Sequence, residues 1–201
     1  GLGAIVLVTP AHHYPTGVVL APERRRELLE WVRGADGRYI IEDDYDAEFR
    51  YDSNPIGSIQ PFDPDRVVSG SSTSKTLAPG LRLGWMVLPP ALIDAAIELK
   101  AAFDLGTQVL SQATFAELLR TGSFDRHLRL SRARYRRQRA RLAERLKAEA
   151  PDLDVSGLDA GLSLCIRADL PDDQAVADGL KADGVACEAH SYDPQLPDPQ
   201  R

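Results

Sequence analysis

Gly70-Ser71-Ser72-Thr73-Ser74-Lys75-Thr76-Leu77-Ala78-Pro79-Gly80-Leu81-Arg82-Leu83-Gly84 sets one amine, Lys75, behind four consecutive hydroxyls, with the guanidinium of Arg82 seven residues further on. Hydroxyls and backbone N–H groups bind phosphate oxygens, and a guanidinium meets a dianion with a two-pronged fork. A lysine close to such a cation and partly desolvated gives up its proton more readily, so it attacks a carbonyl as the neutral amine. The run therefore suits a site that holds a phosphate and forms an imine with an aldehyde. A nucleotide-binding P-loop would need glycine where Ser69 and Ser74 stand, so that reading fails. The plain alternative is a polar turn with an exposed lysine. Against a fully exposed turn stands the apolar stretch 83–88, which begins directly after Arg82.

Short apolar runs lie on both sides of this segment. Residues 4–8, 39–41, 66–68 and 85–88 read as strands buried on both faces, as in parallel sheets. Between the first two, residues 22–33 start with a proline and place Leu28, Leu29 and Val32 on one helical face. That is a βαβ unit, and it predicts an α/β fold with a mostly parallel sheet flanked by helices. Residues 54–64 carry Pro55, Pro61 and Pro64 and predict an irregular connection.

From about Pro90 the pattern becomes helical. Residues 91–103 form one segment, and 124–150 a long one with Leu128, Tyr135, Leu142 and Leu146 on a stripe, stopped by Pro151. Strand-like stretches at 153–155, 162–166 and 185–188, with a helix near 172–181, predict the beginning of a small α+β C-terminal domain. The expected division is 1–100 for the C-terminal half of a large domain, 101–150 for long connecting helices, and 151–201 for a partial small domain. The end, around Tyr192 to Pro199, is proline-rich.

Two further loops follow predicted strands. Ile40-Ile41-Glu42-Asp43-Asp44-Tyr45-Asp46 ends in carboxylates, and open α/β sheets bind ligands beyond the C-terminal ends of their strands. A carboxylate there can hold a metal, act as a base or pair with a ring N–H⁺, and a solvated acidic loop is equally compatible with this motif alone. An EF-hand fails on the missing glycine and the glutamate spacing. A magnesium-dependent phosphotransferase using Asp44 and Asp46 lacks a supporting threonine. In Thr9-Pro10-Ala11-His12-His13-Tyr14-Pro15-Thr16-Gly17 the proline and glycine make a rigid turn. The adjacent histidines diverge on an extended chain and have no third ligand, so a structural turn is the better reading and no metal is expected.

The whole chain sets the outer limits. It has 201 residues, 43% hydrophobic and 27% charged, with 24 basic against 30 acidic side chains and a formal charge of −6, so bulk affinity for nucleic acid or membrane is not expected. Only four of the basic residues are lysines, which makes Lys75 conspicuous. Cys165 and Cys187 form no CxxC motif, so a reducing cytoplasm is the expected setting. No apolar stretch approaches the roughly 20 residues of a membrane span. The start at Gly1-Leu2-Gly3 lacks the pattern of a signal peptide and runs directly into a strand, which suggests a piece of something longer. The long helix carries nine arginines between Arg126 and Arg145, read as a solvated face whose stems lie on apolar surface rather than as a DNA footprint.

Taken in order, His12-His13-Tyr14-Pro15-Thr16-Gly17, the segment from Ile41 to Tyr51, and the segment from Ser72 to Gly84 resemble fold-type I pyridoxal-phosphate enzymes of the class I aminotransferase kind. Within these, the chain looks most like the aminotransferase-like domain of MocR/GabR-type regulators of the GntR superfamily. The resemblance covers nearly all of residues 4–90 and continues more loosely through the long helix.

The resemblance implies pyridoxal 5'-phosphate as cofactor, with Lys75 forming the internal aldimine. Asp43 would pair with the pyridine nitrogen and keep the ring an electron sink. Tyr45 would hydrogen-bond the phenolate oxygen, and Ser72, Ser74 and Arg82 would hold the phosphate. Aminotransferases usually have asparagine where Tyr14 stands; an aromatic residue there resembles the regulators, and Tyr14 joins the expected cofactor-binding set. The resemblance further implies a small amino compound as effector or substrate, a homodimer, and DNA contact only through an N-terminal winged-helix module outside this chain. The expected function is an effector-sensing domain of a bacterial transcription regulator. The alternative is a working aminotransferase of the aminoadipate or aromatic type.

Overall fold

The structure is a computed structural model that describes residues 3–51, 57–157, 161–167 and 172–189. Its main sheet runs in the order β1 (Ile5–Val8), β2 (Tyr39–Asp43), β3 (Val67–Ser72), β4 (Gly84–Val87). The first three strands are parallel, with Val8 opposite Glu42 and Asp43 opposite Gly70. β4 is antiparallel to β3. Residues 73–83 between them contain only the 3-10 turn Pro79–Leu81, and without a crossover helix the chain turns back along its neighbour.

Helix α1 (Pro22–Arg33) joins β1 to β2. It opens with proline and Glu23 and closes with Arg33, each suited to its end of the helix dipole. Its face brings Val32, with Leu28 and Leu29 beside it, against Ile40, Ile59 and Val67, which form the core cluster. Glu42 is buried under that cluster. Its carboxylate accepts from the backbone N–H of Ile59 at 2.9 Å and of Gln60 at 3.2 Å, and from the Ser58 hydroxyl. A buried carboxylate is stable only with such donors, so this member of the acidic run builds structure: it ties the 58–62 turn to the sheet.

Two expectations about the strands change. β2 and β3 run beyond their apolar residues into Glu42-Asp43 and Ser69–Ser72, because strand pairing continues where hydrophobicity stops. Burial on both faces holds for Ile40 and Val67 but not at the edges, where Ile5 and Leu7 are each 66% exposed and Met86 is 62% exposed. No element among the described residues covers those faces.

After β4 a 3-10 turn leads into α2 (Ile93–Asp104), then α3 (Val109–Arg120) and the long α4 (Ser123–Glu149). The sequence reading had not separated α3. Phe115 of α3 stacks on Trp85 of β4 at 5.9 Å and meets Phe124 of α4 edge-on at 5.1 Å, so an aromatic cluster joins helices to sheet. The stripe along α4 is buried at Leu128 and touches Phe49 through Tyr135, whereas Leu142 is 44% exposed. A second sheet pairs β5 (Asp154–Ser156) antiparallel with β6 (Cys165–Arg167), followed by α5 (Asp173–Ala182), which Asp172 caps by accepting from Ala175 N–H at 2.9 Å. Residues 185–188 form no strand, since no strand among the described residues lies alongside them. The proline-rich end and Asn54-Pro55 lie outside the described residues.

Candidate cofactor site

Because β1, β2 and β3 are parallel, the loops that leave their C-terminal ends share one edge of the sheet. Hydrogen bonds join them there. Asp44 N–H donates to Gly70 O at 2.9 Å, Ser71 Oγ donates to Asp44 O at 2.8 Å, and Tyr45 Oη donates to His12 O at 3.0 Å. The structure thus brings Tyr14, Asp43, Tyr45 and the Lys75 segment to the same edge.

Thr73 organises the lysine segment. It is fully buried, its hydroxyl and N–H both donate to Leu83 O, and its own carbonyl accepts from Leu77 and Ala78. The bend between strand and strand is therefore closed at its base. From α4, His127 Nε2 donates to Thr76 O at 2.8 Å and braces the residue next to the lysine. Lys75 is exposed and makes no hydrogen bond or ion pair among the described residues. Ser72 Oγ accepts from Ser74 N–H at 3.3 Å, so these two candidate phosphate ligands are adjacent. Arg82 is exposed and sits in the left-handed region at φ 49°, ψ 39°, where a residue other than glycine is uncommon and such strain gathers at functional sites.

Asp43 ends β2 and is exposed. Its carboxyl is still held above the ordinary aspartate range, by partial desolvation first and by the neighbouring Asp46 second. The hydroxyl of Tyr45 is pushed well above the ordinary tyrosine range by burial, then by Asp46, Asp43 and Tyr14, which keeps it a proton donor. Tyr14 is exposed, follows the strand through a turn with a cis bond to Pro15, and donates its hydroxyl to the Glu188 carboxylate, which raises its pKa.

Several residues of this edge escaped the sequence reading. His12 and Asp46 are a buried pair, with Nδ1–H donating to Oδ2 at 3.0 Å and the Tyr45 hydroxyl 3.2 Å from the same nitrogen. Gly161 lies directly on that pair and donates its N–H to Phe49 O at 2.8 Å. Arg139 of α4 donates to the carbonyls of Gly161 at 3.1 Å and Ser163 at 3.2 Å, and Arg132 pairs with Glu48 at 2.6 Å. Part of the arginine face of α4 therefore binds this chain's own segments.

The donor set fits a phosphorylated pyridine aldehyde. A carboxylate pushed toward protonation by its surroundings gains from a cationic ring N–H, because the opposite charge reverses that push. A hydroxyl held protonated suits a phenolate oxygen. Adjacent serines with an arginine suit a phosphate, and a lysine with no partner among the described residues suits covalent attachment. No group of three or more metal-ligating side chains occurs among the described residues.

The fold is that of fold-type I pyridoxal-phosphate proteins. The chain belongs to the class I and II aminotransferase family, whose pattern it matches over residues 2–195. Family membership carries pyridoxal phosphate as the cofactor. Among curated relatives, the HTH-type transcriptional regulator YhdI of Bacillus subtilis (strain 168) is 34% identical over 89% of this chain and 38% of its own length. The probable rhizopine catabolism regulatory protein MocR of Rhizobium meliloti is 34% identical over 81% of this chain and 33% of its own. Among solved structures, the kynurenine aminotransferase of Pyrococcus horikoshii in complex with PMP superposes with a TM-score of 0.82 at 29% identity, covering 90% of this chain and 46% of that one. The chain thus spans about a third of the length of these curated relatives and under half of that structure. No helix among the described residues is long and apolar enough to cross a membrane.

Proposed function

We propose that this chain is the effector-sensing, pyridoxal-phosphate-binding part of a bacterial transcription regulator that works as a cytoplasmic homodimer and reaches DNA through a separate module. The observation that carries this reading is the kind of relative found: YhdI and MocR, each matched over four-fifths or more of this chain, are both regulators. Tyr14 supports it, standing where working aminotransferases usually have asparagine, with its hydroxyl engaged by Glu188.

When bound, pyridoxal phosphate supplies an aldehyde that condenses with amines and a pyridinium ring that withdraws electrons. The residues of this chain have separate tasks. Lys75 Nζ would be the point of covalent attachment, open to exchange with an amino compound. Asp43 would hold the ring N–H. Tyr45 would donate a hydrogen bond to the phenolate oxygen, while Ser72, Ser74 and Arg82 would hold the phosphate. An amino compound that displaces Lys75 shifts the balance between two packings of the protein, and DNA affinity follows only as far as the compound prefers one of them.

The test is to add a panel of amino compounds to the cofactor-loaded full-length protein while following its visible spectrum, its DNA affinity and keto-acid formation. One compound is expected to change both spectrum and DNA affinity with no more than a single turnover of product. Sustained turnover with unchanged DNA affinity would contradict the regulator reading and favour an aminotransferase, the activity of its Pyrococcus neighbour.

A further inference from the structure

His12 and Asp46 are the best-enclosed polar pair beside the candidate site, at 2% and 3% exposure, and the tasks given above leave both unused. An ionisable pair buried in this way is costly unless each polar atom has a partner. Asp46 Oδ2 lies 3.0 Å from Nδ1, which fixes the proton of the ring on that nitrogen. Nε2 is buried without a hydrogen-bond partner among the described residues. With the proton on Nδ1, Nε2 is left as a bare lone pair rather than a stranded N–H, the cheaper of the two states.

The same nitrogen is 3.2 Å from the Tyr45 hydroxyl oxygen, and that hydroxyl donates to the backbone carbonyl of His12 at 3.0 Å. One residue therefore holds the Tyr45 hydroxyl from two sides. The ring places the oxygen, and the carbonyl parks the proton until a better acceptor arrives. Above the pair, Gly161 at φ +73° lies close against the ring, since a Cβ there would overlap His12 Cε1 and Nδ1. Apart from His12, the charged or titratable groups acting on Tyr45 are Asp46, Asp43 and Tyr14.

We infer that His12 and Asp46 are positioning residues that aim the Tyr45 hydroxyl at the cofactor's phenolate oxygen. The inference rests on the cofactor site proposed above. Asp46 sets the tautomer, His12 sets the oxygen, and Tyr45 turns its proton from His12 O to the phenolate. No covalent bond changes.

The consequence is spectroscopic. A hydrogen bond donated to the phenolate stabilises the oxyanion, so the nitrogen joined to Lys75 releases its proton at lower pH, and the visible band of the bound cofactor reports that proton. In the cofactor-loaded full-length protein, Tyr45→Phe is expected to raise the pH midpoint of the band by about one unit, roughly tenfold in proton affinity. Asp46→Asn is expected to raise it too, by roughly threefold in proton affinity or more, and to raise it no further in the Tyr45→Phe background. If Asp46 acted only through its charge, its loss would lower the midpoint. A fall, no change, or a rise that persists without the Tyr45 hydroxyl would each overturn the inference.

A second measurement needs neither a buried-site variant nor the cofactor. Nitrogen-15 NMR of labelled histidine in the wild-type protein is expected to find a proton on Nδ1 of His12, and its absence would overturn the inference. A protein without any visible band after cofactor addition would instead count against the Lys75 site, with the NMR result still standing for the pair.

Discussion

Gly161→Ala is expected to cost about 2–5 kcal/mol of folding stability, read as a lowered midpoint of chemical unfolding. Two effects add. The residue occupies φ +73°, where a Cβ costs about 1–2 kcal/mol. That Cβ would also lie 2.6 Å from Asp46 Oδ2 and inside the contact shell of the His12 ring. Overpacking of this kind costs about 1–3 kcal/mol where neighbours can shift, and more where they cannot. These neighbours are held: His12 by Asp46 and Tyr45, Gly161 by Phe49 O and Arg139. A loss within a few tenths of a kcal/mol of zero would mean that the 161–167 segment does not seat on the pair.

Glu42→Ala is expected to cost about 2–6 kcal/mol, because it removes the acceptor of the buried Ile59 N–H and of the Ser58 hydroxyl at about 1–3 kcal/mol for each unmet donor, while Gln60 N–H keeps Ser58 Oγ at 3.1 Å. Glu42→Gln keeps one carbonyl oxygen for these donors and is expected to lose about half as much. Neither change touches the candidate cofactor residues. Cofactor uptake by whatever fraction remains folded should therefore be unchanged, and equilibrium unfolding alongside cofactor titration checks both points. Natural domains hold a margin of about 5–15 kcal/mol, so either substitution removes a large part of it.

The βαβ unit was legible because its signals are local: apolar runs for β1 and β2, with Pro22 and the spacing of Leu28, Leu29 and Val32 between them. The ends of β2 and β3 were not, since Glu42-Asp43 and Ser69–Ser72 have no apolar pattern and owe their strand geometry to pairing with neighbours. Those polar ends are where the candidate site begins. Lys75, Asp43, Tyr45, Ser72, Ser74 and Arg82 were legible as residue types in ordered motifs, and the parallel sheet brings their loops to one edge.

The His12–Asp46 pair was hidden by its separation of 34 residues. The available signal was topological: loops leaving adjacent parallel strands must lie side by side, so an orphan histidine after β1 and a surplus carboxylate after β2 are natural partners. Thr73 was hidden in plain view, one buried hydroxyl in a row of four. His127 reaches Thr76 across 51 positions, and nothing local announces it. In the opposite direction, the alternation at 185–188 suggested a strand, but alternation needs a partner edge, and none exists there among the described residues.

Lys75 stands at the centre of the account: an amine with no partner among the described residues, on a segment closed by Thr73 and braced by His127, next to Ser74 and seven positions before Arg82. The most direct test is to load the full-length protein with pyridoxal phosphate, reduce with borohydride, digest and locate the modified peptide by mass spectrometry. The account predicts one stable pyridoxyl group on Lys75 and none in Lys75→Ala. An unmodified Lys75, or an adduct formed equally in Lys75→Ala, would contradict it.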